Sequence, residues 1–273
     1  MSLPDRPRAV VTGAGSGLGR AFCIELAARR ARIVAADIDL PSVEETARLV
    51  AGAGGEAVTL RADVSRAEDV EALAAEADRA YGGADLVVNN AGVAVAGPVG
   101  TIPLEDWKWI LGVNLWGVIH GCHTFVPRFR AQGHGHVLNV ASAAGLIAGG
   151  EMAAYNVTKS GVVALSETLA AELAGTGIGV TVLCPTFFRT NIIRSSRDHS
   201  TRGAEVGEKL MDRARVQAPD VARFALAAAD RGDLYALPHA DGRWAWRLKR
   251  LVPGTFQKTI VPRFMLAAQR RTS

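Results

Sequence analysis

Short apolar, β-branched runs alternate along this chain with longer stretches whose apolar positions recur at helical spacing. The runs Ala9–Thr12, Arg32–Asp37, Ala57–Arg61, Leu86–Asn89, His136–Val140 and Val180–Cys184 read as strands, with Leu234–Leu237 a weaker seventh. Between them Gly19–Arg30, Leu40–Ala53, Ala67–Tyr81, Leu104–Arg130, Ala153–Gly175 and Pro219–Ala229 read as helices. This alternation predicts an α/β fold: a single doubly wound parallel sheet with right-handed crossovers and helices on both faces. In such sheets ligands bind beyond the carboxyl ends of the strands, and the glycines and polar residues of this chain cluster at those ends.

At 273 residues, with 49% hydrophobic residues, the chain suits one large α/β domain or two small ones. No linker or repeat interrupts the pattern, so residues 1–240 are assigned to one domain and 241–273 to a basic, aromatic extension packed on that domain or at an interface. The net charge of +4 is uneven: residues 241–273 hold eight Lys or Arg and one Asp, which leaves the rest of the chain acidic. Basicity confined to a tail argues against a nucleic-acid partner. The N-terminus lacks an apolar targeting region, and no apolar run reaches the ~18 residues of a membrane span. Cys23, Cys122 and Cys184 stand singly in apolar surroundings, as in a reduced, cytoplasmic protein. No metal site is expected, since His120, His123, His134, His136 and His199 share no ligand spacing.

The first strand runs into Thr12-Gly13-Ala14-Gly15-Ser16-Gly17-Leu18-Gly19, and a helix follows. Glycines let a backbone approach a pyrophosphate, and the helix N-terminus offers free N–H groups. Gly13, Ser16, Gly17, Leu18 and Gly19 are therefore candidate dinucleotide contacts. Asp37, with Ile38, ends the second strand, where a carboxylate can accept hydrogen bonds from both ribose hydroxyls. It would repel a 2′-phosphate, and neither Ser16 nor Ile38 supplies a cation, which favours NAD over NADP. Asp63-Val64 closes the third strand and either holds the adenine edge or caps the next helix.

Tyr155 and Lys159 lie four residues apart in an Ala-rich helical stretch and so share a helix face. A tyrosine pKa near ~10 is too high for a base at neutral pH. A nearby ammonium favours the phenolate, but a shift of about three units needs a second positive charge, such as an oxidised nicotinamide.

Together these motifs resemble the short-chain dehydrogenase/reductase family, over residues 7 to 235. They occur in order: the Thr12–Gly19 turn, Asn89-Asn90-Ala91-Gly92, Asn114, Ser142, and Tyr155 to Lys159. The resemblance implies a Rossmann-type NAD-dependent oxidoreductase that interconverts a secondary alcohol and a ketone or aldehyde. It implies Tyr155 as acid/base, Ser142 holding the reacting oxygen, Lys159 on the nicotinamide ribose, and Asn114 in a water-linked proton relay with Lys159. It places Asn90, Ala91 and Gly92 along the adenosine side, and Thr190 on the nicotinamide carboxamide with Pro185 and Phe188 beside it. It also implies a homo-oligomer, a dimer or tetramer. Two other readings are a non-catalytic nucleotide-binding sensor on the same fold and a membrane-surface protein using its basic tail.

This chain departs from the family at three places. Thr186 replaces the glycine usual after Pro185, so the turn either avoids a glycine-only conformation or is strained. The segment from Asn191 to Lys209, where the family has a substrate lid, is polar, with Arg194, Arg197 and Arg202; a solvated loop is favoured over arginines meeting an anion. Ser142, Ala144, Leu146, Met152, Tyr155, Phe187 and Ile192 are the expected substrate contacts, and they suit a largely apolar alcohol or carbonyl compound. Finally, the family's closing Gly-Gly strand is missing. On a helix, Trp244, Leu248 and Leu251 fall on one side, with Arg243, Arg247 and Arg250 beside them. Packing of this helix on the protein is favoured over membrane contact, because Pro253 ends it.

Overall fold

The computed structural model describes residues 2–190, 192, 196–200, 211–212 and 214–263. The first half of the chain forms β1 (Arg8–Thr12), α1 (Gly17–Ala27), β2 (Arg32–Asp37), α2 (Leu40–Gly52), β3 (Glu56–Arg61), α3 (Ala67–Tyr81), β4 (Leu86–Asn89) and β5 (Val95–Ala96). Then come α4 (Leu104–Leu111), α5 (Gly117–Gln132), β6 (Gly135–Val140), α6 (Ala143–Ile147), α7 (Ala153–Glu172) and β7 (Ile178–Leu183). The described part closes with β8 (Arg197–Asp198), α8 (Ala218–Arg231), β9 (Tyr235–Ala236) and α9 (Ala240–Leu251), followed by short helical turns over 253–260.

Seven strands make one parallel sheet in the order β3-β2-β1-β4-β6-β7-β9. Because side chains alternate across a strand, each strand feeds two cores. Ala9 and Val11 of β1 join Phe22 and Leu26 of α1 and Leu226 of α8 on one face. Val10, between them, joins Leu73 of α3, Phe125 of α5 and Val162 of α7 on the other. The order of strands reverses between β1 and β4, which are hydrogen-bonded neighbours. Their carboxyl ends diverge there, and a crevice opens. Arg8 fastens the opposite end of the same pair: its guanidinium donates to both carboxylate oxygens of buried Asp85.

The expected helix over Leu104–Arg130 is interrupted. A π-turn, Gly112–Trp116, separates α4 from α5. Its centre is Asn114, fully buried, whose Oδ1 accepts from the Val93 N–H and whose Nδ2 donates to the Val93 carbonyl, both at 2.8 Å. A polar side chain with no access to water must find such partners, and widening the helix by one residue lets this one reach them.

The C-terminal extension forms α9, breaks at Val252 and resumes with Pro253 as the first residue of the next turn, where a missing N–H costs nothing. The helix meets the domain through Gly242, Trp246 and Lys249. Gly242 lies under Thr186, Trp246 packs 4.9 Å from the Tyr235 ring, and Lys249 Nζ donates to the Leu146 carbonyl at 2.8 Å. The stripe of Trp244 and Leu251 is half a turn away and stays in solvent, 70% and 79% exposed. The packing face is therefore not the apolar stripe that the sequence singles out. Among the described residues, no helix is long and apolar enough to cross a membrane.

Candidate active site

Both halves of the crevice open into one cavity of about 1320 Å³. At one end is the turn after β1. Gly13 and Gly17 adopt left-handed backbone, and a Cβ on Gly13 would lie 2.8 Å from Ala91 Cα. Gly19 does not line the cavity: a Cβ there would lie 2.0 Å from the Gly13 carbonyl oxygen, so its role is to let α1 sit close on the turn. Thr12 ties this turn to the Asn90 turn. Its hydroxyl accepts from the N–H groups of Asn90 and Ala91, and Asn90 Nδ2 donates back to the Thr12 carbonyl at 2.8 Å. No side chain caps α1 and no acid sits in its first turn, which leaves its positive end to a bound anion.

Asp37 lines the cavity beside Ile38. One carboxylate oxygen accepts from the Gly15 N–H at 2.9 Å and the other from the Asp39 N–H at 3.1 Å, so the side chain is held before any ribose arrives. Asp39 and Asp63 line the same end. Arg20, the nearby cation, points away: it donates to the Gly15 carbonyl, Thr46 and Glu45. Asp63 has a local task, since its Oδ1 accepts from the Ser65 N–H and hydroxyl. Val64 also lines the cavity, and its carbonyl meets His120 Nδ1 at 2.9 Å. These features fit a dinucleotide: an uncapped helix end and glycine turn for the pyrophosphate, and a preset carboxylate for a ribose.

At the other end Ser142, Tyr155 and Lys159 all face the cavity, with Gly92 close by. Ser142 caps α6, its hydroxyl accepting from the Ala144 N–H at 3.1 Å, and it lies close enough to the Tyr155 phenol to act on it. Lys159 is 3% exposed; its Nζ donates to the Val140 carbonyl at 2.9 Å and lies 5.7 Å from the Tyr155 ring centre. Burial pushes the Lys159 ammonium down to about 8. Burial also pushes the Tyr155 phenol up to about 12, against the opposing influence of the nearby Ser142 hydroxyl. The lysine alone does not produce a phenolate here, because desolvation of the ring outweighs a cation at that distance.

Asn114 stands outside the cavity. Its side chain is committed to Val93 and, at 3.4 Å, to Thr158, so it braces the segment between β4 and β5 just behind Gly92. Leu146 also differs from expectation: it is turned into the core, and Ile147 lines the cavity in its place. Ala144, Met152, Phe187, Pro185, Phe188, Thr190 and Ile192 do line it. Thr186 lacks the left-handed backbone a glycine would have allowed. Its N–H donates to His239 Nδ1 at 3.2 Å and its hydroxyl to Asp241 at 3.3 Å, so the turn is braced by the extension. Burial keeps His239 below its ordinary range, and a neutral imidazole is what accepting that bond requires.

Of the polar lid, Arg194 and Arg202 lie outside the described residues. Arg197 donates to Asp106 at 2.5 Å and sits 4.0 Å over the Trp109 ring, while His199 meets the other Asp106 oxygen at 2.6 Å. Arg197 is thus a latch for β8, which pairs with β5, and does not line the cavity. Sequence reasoning missed two features: Thr12 and the buried Asn89–Asn139–Ser166 chain look locally like ordinary strand residues. Covering of the substrate pocket is one of the roles open to the extension, and its Ala245, Leu248, Phe256, Ile260 and Val261 do wall the cavity, though no local motif marks which of its residues reach there.

The short chain dehydrogenase family profile matches residues 7–201. A curated relative, "Probable oxidoreductase EphD" of Mycobacterium tuberculosis, is 41% identical over 191 residues, 70% of this chain; the match spans only 32% of that longer protein. The 2-(R)-hydroxypropyl-CoM dehydrogenase of Xanthobacter autotrophicus is 37% identical over 186 residues, covering 67% of this chain and 74% of its own. The crystal structure of a short chain dehydrogenase/reductase from Burkholderia phymatum in complex with NAD superposes with a TM-score of 0.87 at 34% identity, over 92% of this chain and 95% of that one. With the parallel sheet, the glycine turn at its switch point and the Ser142, Tyr155 and Lys159 cluster on one cavity, these likenesses make this chain a member of the short-chain dehydrogenase/reductase family of oxidoreductases.

Proposed function

We propose that this protein is an NAD-dependent dehydrogenase that interconverts a largely apolar secondary alcohol with its ketone. The observation that carries this reading is the shared cavity, with Ser142, Tyr155 and Lys159 at one end and Asp37 with the glycine turn at the other. NAD is preferred to NADP because a 2′-phosphate near Asp37 would meet Asp39 and Asp63 as well, while Arg20 is already engaged by Glu45. The NAD complex of the Burkholderia phymatum relative supports the same choice.

The dinucleotide, when bound, supplies the hydride acceptor for alcohol oxidation and the positive charge of its oxidised ring. Glycines 13 and 17, Ser16 and Leu18 would hold its pyrophosphate, Asp37 its adenosine ribose, and Pro185, Phe188 and Thr190 its other end. Lys159 would hold the second ribose. Tyr155 accepts the alcohol proton at its phenolic oxygen in oxidation and returns it in reduction. Ser142 donates to the same substrate oxygen and keeps it in reach of Tyr155. With its phenol raised by burial, Tyr155 rests as the acid, ready for carbonyl reduction; oxidation needs an added positive charge nearby. Lys159 is the only cation among the described residues that line the cavity, and Glu151 and Asp241 are among its acids. A carboxylate substrate would be repelled, so a neutral one is favoured.

Absorbance of the reduced nicotinamide tests this. NAD and NADP are each offered with a panel of secondary alcohols running from short aliphatic to steroid-sized. Turnover with NAD on the apolar members is expected. Cofactor binding without turnover on any member would replace the reading with that of a nucleotide-binding protein.

A further inference from the structure

Four of the twelve large apolar side chains exposed among the described residues fall within nine residues: Trp244, Leu248, Leu251 and Val252. The others are scattered over the fold, as is normal for a protein surface. These four sit at spacings of three and four residues, so they form one stripe along α9 and the break after it. The exposed cations Arg247, beside the Trp244 ring, and Arg250, over the Trp246 ring, lie along one side of the stripe, and Lys258 and Arg263 follow. No acidic residue occurs from Gly242 to the end of the chain, and Asp241 is taken up by Thr186 and the Gly242 N–H. Aromatic and aliphatic side chains bordered by unneutralised cations match a surface that is apolar inside and anionic outside. A twofold pair of this face would bring two sets of Arg247 and Arg250 into one interface to which the helix from Gly242 on adds no acid, which disfavours a second copy as the occupant.

The stripe also continues into the cavity. Leu248 is both 40% exposed and part of the cavity wall, and Ala245 and Phe256 lie further in. One helix therefore presents its inner face to the domain, one flank to the cavity and its outer face to solvent. We propose that α9 and the turn after it dock this protein onto an anionic lipid bilayer, lying in its surface. Trp244, Leu248, Leu251 and Val252 enter the acyl boundary, and Arg247, Arg250 and Lys258 contact the headgroups. The cavity wall then adjoins the lipid, so an apolar substrate can pass between them without crossing water. The docking itself does not depend on which alcohol is oxidised.

The test is co-sedimentation of the full chain with vesicles. One set contains phosphatidylglycerol and phosphatidylcholine in equal parts, the other phosphatidylcholine alone. Binding to the anionic set is expected, about tenfold or more weaker on the neutral set, and falling as salt is raised. Trp244→Glu with Leu251→Glu is expected to abolish it while NAD binding, read by fluorescence, is unchanged; both positions are in solvent, so the fold is spared. Arg247→Gln with Arg250→Gln should remove the preference for anionic vesicles. The proposal is overturned if wild type stays in the supernatant with anionic vesicles, or if the glutamate variant still sediments. It is also overturned if that variant lowers the molecular mass measured without lipid, since the face would then be a protein interface.

Discussion

The two ends of the cavity are built on opposite principles. The nucleotide end is backbone held by backbone and by short polar side chains. Thr12, Asn90 and Asp37 each make two or more hydrogen bonds within one neighbourhood of the sheet, and the glycines remove side chains where chains must touch. The substrate end is made of apolar side chains from segments far apart in sequence, among them Trp109, Met152, Phe187, Leu248 and Phe256. A hydrogen-bonded turn tolerates little change, which suits a ligand that never varies. A wall of side chains can be exchanged one by one, which suits a ligand that differs from one relative to the next. Here the exchange extends to the chain terminus: Thr186 occupies the turn because Gly242 leaves room for its methyl group, and Asp241 takes its hydroxyl.

This contrast can be broken in several ways. The largest effect is expected at the acid/base group itself. Tyr155→Phe should lower kcat by about a thousandfold, near 4 kcal/mol, with the NAD dissociation constant almost unchanged. Substantial activity in that variant would remove Tyr155 from the chemistry. At the substrate end, Phe256→Ala should cost about 3 kcal/mol of stability, since the ring is buried. It should raise KM for bulky apolar alcohols more than for short ones, and leave NAD affinity alone. A rise in KM for NAD of the same size would show that the two ends are not separate. At the nucleotide end, Asp37→Ala should shift the NAD to NADP preference by about 30-fold, or ~2 kcal/mol, without changing the order of preferred alcohols. An unchanged cofactor ratio would take Asp37 off the ribose.

A last effect, no larger than that of Asp37, concerns the sheet that both ends share. His136 is buried in β6, with Nε2 2.9 Å from Thr181 Oγ1, and burial lowers its pKa from 6.5 to about 4. Below pH 6.5 the unfolded chain binds a proton that the folded chain refuses, so stability falls as pH drops from about 6.5 toward 4. The loss at pH 5 should approach about 2 kcal/mol, measured by urea denaturation. His136→Gln should flatten that dependence, and catalysis by either end should not move with it. An unchanged pH slope would mean that His136 is not the group responsible.

Much of this was legible in the chain. The strand runs lie within a residue or two of the observed strands, because a parallel sheet covered on both faces demands continuous apolar runs. The Thr12–Gly19 turn and the Tyr155–Lys159 spacing could be read because each is local: one turn, one helix face. The π-turn at Asn114 could not be read, since what forces it is the Val93 backbone, reached only after β4 and α4 have packed. Leu146 was misplaced for a similar reason. A five-residue helix has no periodicity long enough to tell its core side from its cavity side.

The extension is where sequence and structure part most clearly. Its composition determined that it is basic and that, as a helix, it carries an apolar stripe. Tertiary structure decided which face meets the protein, and chose Gly242, Trp246 and Lys249 over the stripe. The reason is physical. Periodicity records which side chains prefer to leave water, but not which surface is close enough to receive them. The short-range patterns of this chain therefore determined its sheet, its glycine turn and its Tyr–Lys pair. The shape of the substrate end, the bracing of Thr186 and the direction in which Tyr155 is shifted depend on burial and on contacts between distant segments, which exist only once the chain has folded.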